Sequence, residues 1–230
     1  MEFTLLGAAL LAVAGVYGVL WYEAGRTNAA DCTRDLWDMA IGAGLAGVAI
    51  GRIVAMVRGG TNPITHPGDI LIVRSGVDTI AAAVAALAAF GWLARRDLWR
   101  NADGLAPAAV AGLALWHTGC TLRDACLGTP SDLPWAIAQT SGGVTRHPVE
   151  LYAALLLAVA ALALVIWKRR WPPSGVVAAA AVVATAVARG VTEPLRPVIG
   201  DGLVVWYLGA ATVGAAAMIW RWRVASDRTA

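Results

Sequence analysis

The chain has 230 residues, of which 59% are hydrophobic and only 14% charged, with a formal net charge of +3, and its mean hydropathy is +0.65. That balance excludes a soluble domain of ordinary composition. It also argues against a nucleic-acid partner, because the cations fall in loops between apolar stretches, where they orient membrane spans.

Glu2 leads straight into an apolar stretch over 3–22 without the basic flank of a cleaved leader, which is expected to be a retained first helix. Further stretches of about 17 to 25 residues follow at 37–57, 70–94, 104–122, 148–167, 174–195 and 202–220, each long enough to cross a hydrocarbon core of roughly 30 Å. The expected fold is therefore an all-α membrane protein, a polytopic bundle of about seven transmembrane helices forming one transmembrane domain over 1–230. Arg26, Arg34, Arg95, Arg96, Arg100, Lys168, Arg169, Arg170, Arg221, Arg223 and Arg228 mark one side of the bilayer. The opposite loops hold Arg58, Arg123 and Arg146, so the N-terminus is expected outside and the C-terminus in the cytoplasm. The 11 Trp cluster near segment ends, as interfacial anchors do. Gly42, Gly44, Gly47 and Gly51 allow close helix packing within the bilayer. The external loops over 58–69 and 123–147 are turn-rich, and no internal repeat or soluble domain is evident. Cys32, Cys120 and Cys126 are too few and too scattered for a disulfide framework or a zinc site. Their expected role is as small apolar residues, with pairing of Cys120 and Cys126 left open. Neither a metal nor a cofactor is expected.

Ionised side chains inside a span cost roughly 2.5 to 3.5 kcal/mol each on insertion scales, so every one calls for a reason. Arg52, Arg74, Asp78, His117, Glu150, Arg189, Glu193 and Arg196 all fall within or at the ends of the predicted spans, mostly towards the external side. Arg74 and Asp78 are four apart and are expected to pair on one helix face. Arg189, Glu193 and Arg196 repeat at i, i+4 and i+7, with Pro194 loosening the helix there. Two guanidiniums with a carboxylate between them suit phosphate recognition, and in a membrane the phosphate at hand is a lipid headgroup. His117 is either a helix-to-helix hydrogen bonder or a base. His66 reads as an ordinary loop residue.

The run Gly119, Cys120, Thr121, Leu122, Arg123, Asp124, Ala125, Cys126, Leu127, Gly128, then Pro134, Trp135, Ala136, then Arg146, His147, Pro148, Val149, Glu150, Leu151, Tyr152, is distinctive in order and spacing. With the later Arg189, Glu193 and Arg196, it resembles the prolipoprotein diacylglyceryl transferase family. The resemblance implies transfer of a diacylglyceryl group from phosphatidylglycerol to the lipobox cysteine of a prolipoprotein, at the outer side of the inner (cytoplasmic) membrane. The partners it implies are phosphatidylglycerol, prolipoprotein signal peptides and the lipid bilayer. Arg146, Arg189 and Arg196 become candidate phosphate contacts, Glu150 and Glu193 their orienting carboxylates, Tyr152 a headgroup donor or interfacial anchor, and His117 or His147 the candidate base. His147 has a second reading, as a side chain that bonds the free end of the following helix.

Two positions depart from the family. Its third span carries His-Gly-Gly where this chain has Arg74, Ser75 and Gly76, and its signature opens on Gly-Arg where this chain has Trp116 and His117. An exchange of the two side chains would keep one cation (Arg74) and one base (His117) in the site. The alternative is a degenerate member that binds lipid or acts as a scaffold. A small transporter is a third reading, weakened by the missing inverted repeat.

Overall fold

The computed structural model describes residues 2–24, 26, 35–71, 76–120, 126–140, 142–197 and 203–227. Helices occupy all seven predicted positions: α1 (Glu2–Glu23), α2 (Leu36–Arg58), α4 (Thr79–Leu93), α5 (Leu98–Thr118), α6 (Val149–Lys168), α7 (Val176–Thr192) and α8 (Val204–Ser226), with a one-turn helix α3 (Gly68–Leu71). The chain is an all-α polytopic membrane protein. Five of these helices are long and apolar enough to cross a membrane. The two that fall short do so for local reasons. α4 has 15 residues, and α5 includes Arg100 and Asp103 in its first turns.

By its contacts the chain divides into two compact units, 32–101 and 1–31 with 102–230. In the smaller unit α2 packs on α4 through small residues. A Cβ at Gly47 would lie 2.8 Å from the Ala82 carbonyl, and one at Gly51 2.7 Å from the Ala82 side chain. That approach brings backbone to backbone, and the Gly51 carbonyl accepts from Asp78 N at 3.0 Å. Arg52 is 2% exposed. It spends its guanidinium on the loop between the helices, donating to the Asp69 carbonyl at 2.9 and 3.1 Å and to the Gly76 carbonyl at 2.7 Å. Arg52 is thus a loop clamp, which explains a cation tolerated inside the second span.

The predicted span over 70–94 loses its first part. Asp78 has an extended backbone and caps α4, accepting from Ala81 N at 2.9 Å. The expected helical pair of Arg74 and Asp78 therefore does not form as such: Asp78 lies before the helix and is ion-paired with Arg58 at the end of α2. Arg74 itself lies outside the described residues, as does Cys32.

In the larger unit a core of Val110, Leu157, Leu164, Val177 and intervening alanines joins α5, α6 and α7. α7 also packs along α8. One end of this core is closed by buried charge. Lys168, at the end of α6, is 0% exposed and donates to Glu23 Oε2 at the end of α1 and to the Gly104 carbonyl, both at 2.9 Å. Lys168 was expected among the solvated loop cations. Its stem is instead covered, and its charge is neutralised by a carboxylate 145 residues away in sequence. Asp103 completes this end. α7 begins at Gly175, which has no side chain to cap it, and the Asp103 carboxylate accepts from Gly175 N at 2.6 Å and Ala178 N at 2.7 Å.

Breaking one side of a buried ion pair costs about 3–5 kcal/mol, whereas replacing both partners by apolar residues is often neutral. Lys168→Ala should therefore lower the thermal unfolding temperature in detergent substantially. The double variant Lys168→Met, Glu23→Leu should restore most of the loss.

Candidate active site

At the other end of α6 a second buried cluster is organised by one carboxylate. Glu150 lies in the first turn of α6 and is 2% exposed. His117, in the last turn of α5, meets Glu150 Oε2 through Nδ1. Arg189, in the last turn of α7, donates to the same oxygen at 3.3 Å. Arg196 donates through Nη2 to Glu150 Oε1. Glu193 supplies a second carboxylate, with Oε2 4.0 Å from Arg189 and 3.8 Å from Arg196.

The expected helical face of Arg189, Glu193 and Arg196 is reached by a different route. α7 ends at Thr192, Glu193–Leu195 is a 3-10 turn and Arg196 is extended. Pro194 cannot supply an amide proton, so the helix tightens and stops here. The three side chains still converge, because the turn folds Arg196 back toward Glu150. Exposure then separates the guanidiniums. Arg189 has a side chain 10% exposed, whereas Arg196 is 32% exposed and is the more accessible of the two guanidiniums.

The charges can be summed. Arg189 and Arg196 balance Glu150 and Glu193, leaving His117 as the titratable member. As a carboxylate Glu150 only accepts, so in neutral His117 the proton sits on Nδ1 and Nε2 is the basic nitrogen. A carboxylate that fixes the tautomer of an imidazole is the arrangement used wherever histidine works as a base.

The loop before α6 brings further polar groups to the same end. Ile137–Ala138 (β1) pairs antiparallel with Thr145–Arg146 (β2), so the expected turn-rich loop contains a small hairpin. Arg146 is held at its base, donating through Nε to Gln139 Oε1 at 2.8 Å and through Nη1 to the Gly128 carbonyl at 3.1 Å. Both partners are neutral, so among the described residues the Arg146 charge has no carboxylate hydrogen-bonded to it. Gly128 is the joint of this region: its N–H donates to the His147 carbonyl at 2.8 Å and the next amide, Thr129 N, to the Leu195 carbonyl at 2.8 Å. A Cβ at Gly128 would lie 2.5 Å from the Leu195 carbonyl and 2.3 Å from Val149 Cγ2. Only glycine allows the loop, the start of α6 and the 3-10 turn to meet.

His147 does not cap α6 with its side chain. Pro148 occupies the cap position without a side-chain bond, and the His147 ring lies 3.4 Å from the Tyr152 hydroxyl through Nδ1. That hydroxyl accepts from Trp135 Nε1 at 2.8 Å, giving a chain Trp135, Tyr152, His147. Gln139 and Trp135 were not singled out as site residues from the sequence. Nothing about a glutamine in a turn-rich loop signals contact with an arginine. Cys120 and Cys126 form a disulfide, with Cα atoms 5.7 Å apart, so the pairing left open from the sequence is made, and at these two positions it replaces the expected role as small apolar residues. It closes the segment that follows α5, directly after His117. His66 is an exposed loop residue whose ring meets Thr65 Oγ1 at 2.9 Å. Among the described residues, no three His, Cys, Asp or Glu side chains gather as a metal centre requires.

A family model described as prolipoprotein diacylglyceryl transferase matches residues 3–224. A curated phosphatidylglycerol--prolipoprotein diacylglyceryl transferase of Glaesserella parasuis is 33% identical over 128 residues, covering 54% of this chain and 48% of that protein. The protein of that name from Actinobacillus pleuropneumoniae serotype 3 is 30% identical over 130 residues, covering 54% and 49%. The one from Solidesulfovibrio magneticus is 40% identical over 81 residues, covering 34% and 30%. The chain thus spans about half or less of the length of these relatives in the matched segments.

Gly128→Ala forces backbone apart, and an overpacked site of this kind costs about 1–3 kcal/mol. The variant should fold with reduced stability. The Arg196 side chain should become more accessible to an arginine-specific dicarbonyl reagent, a change read by mass spectrometry of the peptide containing it.

Proposed function

For a chain that belongs to the prolipoprotein diacylglyceryl transferase family, we propose transfer of a diacylglyceryl group from phosphatidylglycerol to the lipobox cysteine of a prolipoprotein. The site would face the outer side of the cytoplasmic membrane, with the whole chain acting as one transmembrane domain. The observation that carries the reading is the convergence of His117, Arg189 and Arg196 on buried Glu150.

The chemistry follows from the charges. The phosphate of the lipid carries one negative charge and meets Arg196, the more accessible guanidinium of the cluster, and Arg146, whose described hydrogen bonds go to neutral oxygens. Arg189, Glu150 and Glu193 hold Arg196 and His117 in place. Their carboxylates keep the cations from being drawn out of position by the ligand. The cysteine sulfur forms a bond to the terminal glyceryl carbon of the lipid. The bond from that carbon to the phosphate oxygen breaks, and its electron pair leaves with glycerol phosphate. The thiol proton passes to Nε2 of His117, whose imidazolium is stabilised by Glu150. Tyr152, held by Trp135 and His147, would serve as a headgroup donor, with His147 Nδ1 donating to its hydroxyl. His147 is the alternative base, and the poorer one, because its ring meets a neutral hydroxyl where His117 meets a carboxylate. Arg74 is assigned to the same site by the family pattern alone. The reaction as written needs no cofactor.

Purified protein in phosphatidylglycerol vesicles with a lipobox peptide tests the reading. Mass spectrometry should show a diacylglyceryl thioether on the cysteine. Protein that binds the vesicles but yields no thioether above background would overturn the assignment. His117→Asn keeps an N–H for Glu150 and removes the basic nitrogen. Its rate should fall about 10²- to 10⁴-fold, with binding of the lipid retained. Arg196→Gln should lower the rate by about 10²- to 10³-fold.

A further inference from the structure

The larger unit has a cavity that the proposed reaction does not use. It is a groove of about 410 Å³ between α1, α5 and α6, floored by Gly15, Gly18, Ala111, Ala114, Ala158 and Ala161 and almost wholly apolar. Its size falls within the range of roughly 300–1,000 Å³ typical of ligand sites. The floor is held close on one side. A Cβ at Gly15 would lie 2.7 Å from Leu115 Cδ1, and one at Gly112 2.6 Å from Val16 Cγ2, so α1 and α5 meet without intervening side chains.

The groove ends at Tyr22, which also lines it. Two arginines sit on that ring, with guanidinium carbons 4.9 Å (Arg26) and 5.4 Å (Arg169) from its centroid. Arg26 donates to the Tyr22 carbonyl at 2.6 Å and Arg169 to the Tyr22 hydroxyl at 2.5 Å. All three residues are exposed. Among the described residues neither guanidinium is hydrogen-bonded to a carboxylate. The nearby acid, Glu23, is buried and accepts from Lys168. Two like charges are therefore held on one aromatic ring at the polar end of an apolar channel, an arrangement complementary to an anion carrying a hydrocarbon tail.

We propose that this groove binds an anionic phospholipid, with one acyl chain on the glycine and alanine floor and the phosphate held by Arg26 and Arg169 at Tyr22. The site is separate from the cluster around Glu150. Val165, on the groove wall, follows Glu150 by fifteen residues of α6, about 22 Å along the helix, so the two phosphate sites lie toward opposite ends of the span. The lipid bound here is a structural partner that seals α1 against α5 and α6, drawn from the leaflet opposite the one that supplies the Glu150 site.

The test uses full-length protein in phosphatidylcholine nanodiscs doped with a trace of phosphatidylglycerol or phosphatidylcholine carrying a photoactivatable acyl chain. Cross-links are mapped to 15–22 and 158–165 by peptide mass spectrometry. Phosphatidylglycerol should label these segments about tenfold more than phosphatidylcholine, as expected for two arginines facing one anionic headgroup. The double variant R26Q/R169Q should reduce labelling to the phosphatidylcholine level. Gly18→Leu, which fills the floor and leaves both arginines, should remove it. Equal labelling by the two lipids in the wild-type protein, or an unchanged preference in R26Q/R169Q, overturns the proposal. Arg169→Gln alone serves if the double variant does not fold, with partial loss supporting the site and no loss overturning it.

Discussion

The structure of the larger unit depends on where a single carboxylate is buried. An ionised Glu150 taken out of water is tolerated only if its oxygens are answered. Three segments answer them: the end of α5 through His117, the end of α7 through Arg189, and the chain beyond the 3-10 turn through Arg196. Its place in the first turn of α6 adds the favourable end of the helix dipole. Each partner is itself a charge or a titratable ring that would be costly in a bilayer without Glu150. Burial is therefore mutual. The cationic groups are held in one geometry before any ligand arrives, and that is the condition under which fixed charges are most effective on a developing anion.

The opposite end of the same helices obeys the same rule with different residues. Lys168 ends α6 as Glu150 begins it, and each is neutralised by a residue from a distant segment. α7 is likewise positioned by charge at both ends, by Asp103 at its first amides and by Glu150 at Arg189. Between the two ends the contacts are alanine, valine and leucine, which allow close approach but specify register weakly in a lipid environment. The polar ends supply the register. Sliding α7 by one turn, about 5.4 Å, would break both sets of bonds at once.

Much of this was readable from residue chemistry. The cost of charge in a span pointed to His117, Glu150, Arg189, Glu193 and Arg196, and the structure brings those five together. Their connectivity was not readable. Spacing in sequence suggested a pairing along one helix, whereas the principal bonds run between helices, from Glu150 to residues 33, 39 and 46 positions away. Asp78 failed for a related reason: a run that is apolar on average continues through Ser75 and Gly76, and an aspartate there is worth more as a cap than as a mid-helix charge. Lys168 and Glu23 were hidden by the habit of assigning span-end charges to the headgroups. Nothing local distinguishes a snorkelling lysine from one whose ammonium is covered by a neighbouring helix.

His117 gives the departure from the family a physical meaning. The resemblance leads one to expect arginine at this position, and an arginine meeting Glu150 would make a third permanent cation around two carboxylates. Histidine at the same bond leaves the cluster balanced when neutral and positive by one when protonated. Arg146 adds a standing positive charge whose bonds among the described residues are to neutral oxygens. Permanent charge for holding the phosphate and conditional charge for accepting a proton are thus assigned to different residues. In the proposed reaction that division would put base chemistry on α5 and the anion-binding charge at the hairpin and the 3-10 turn.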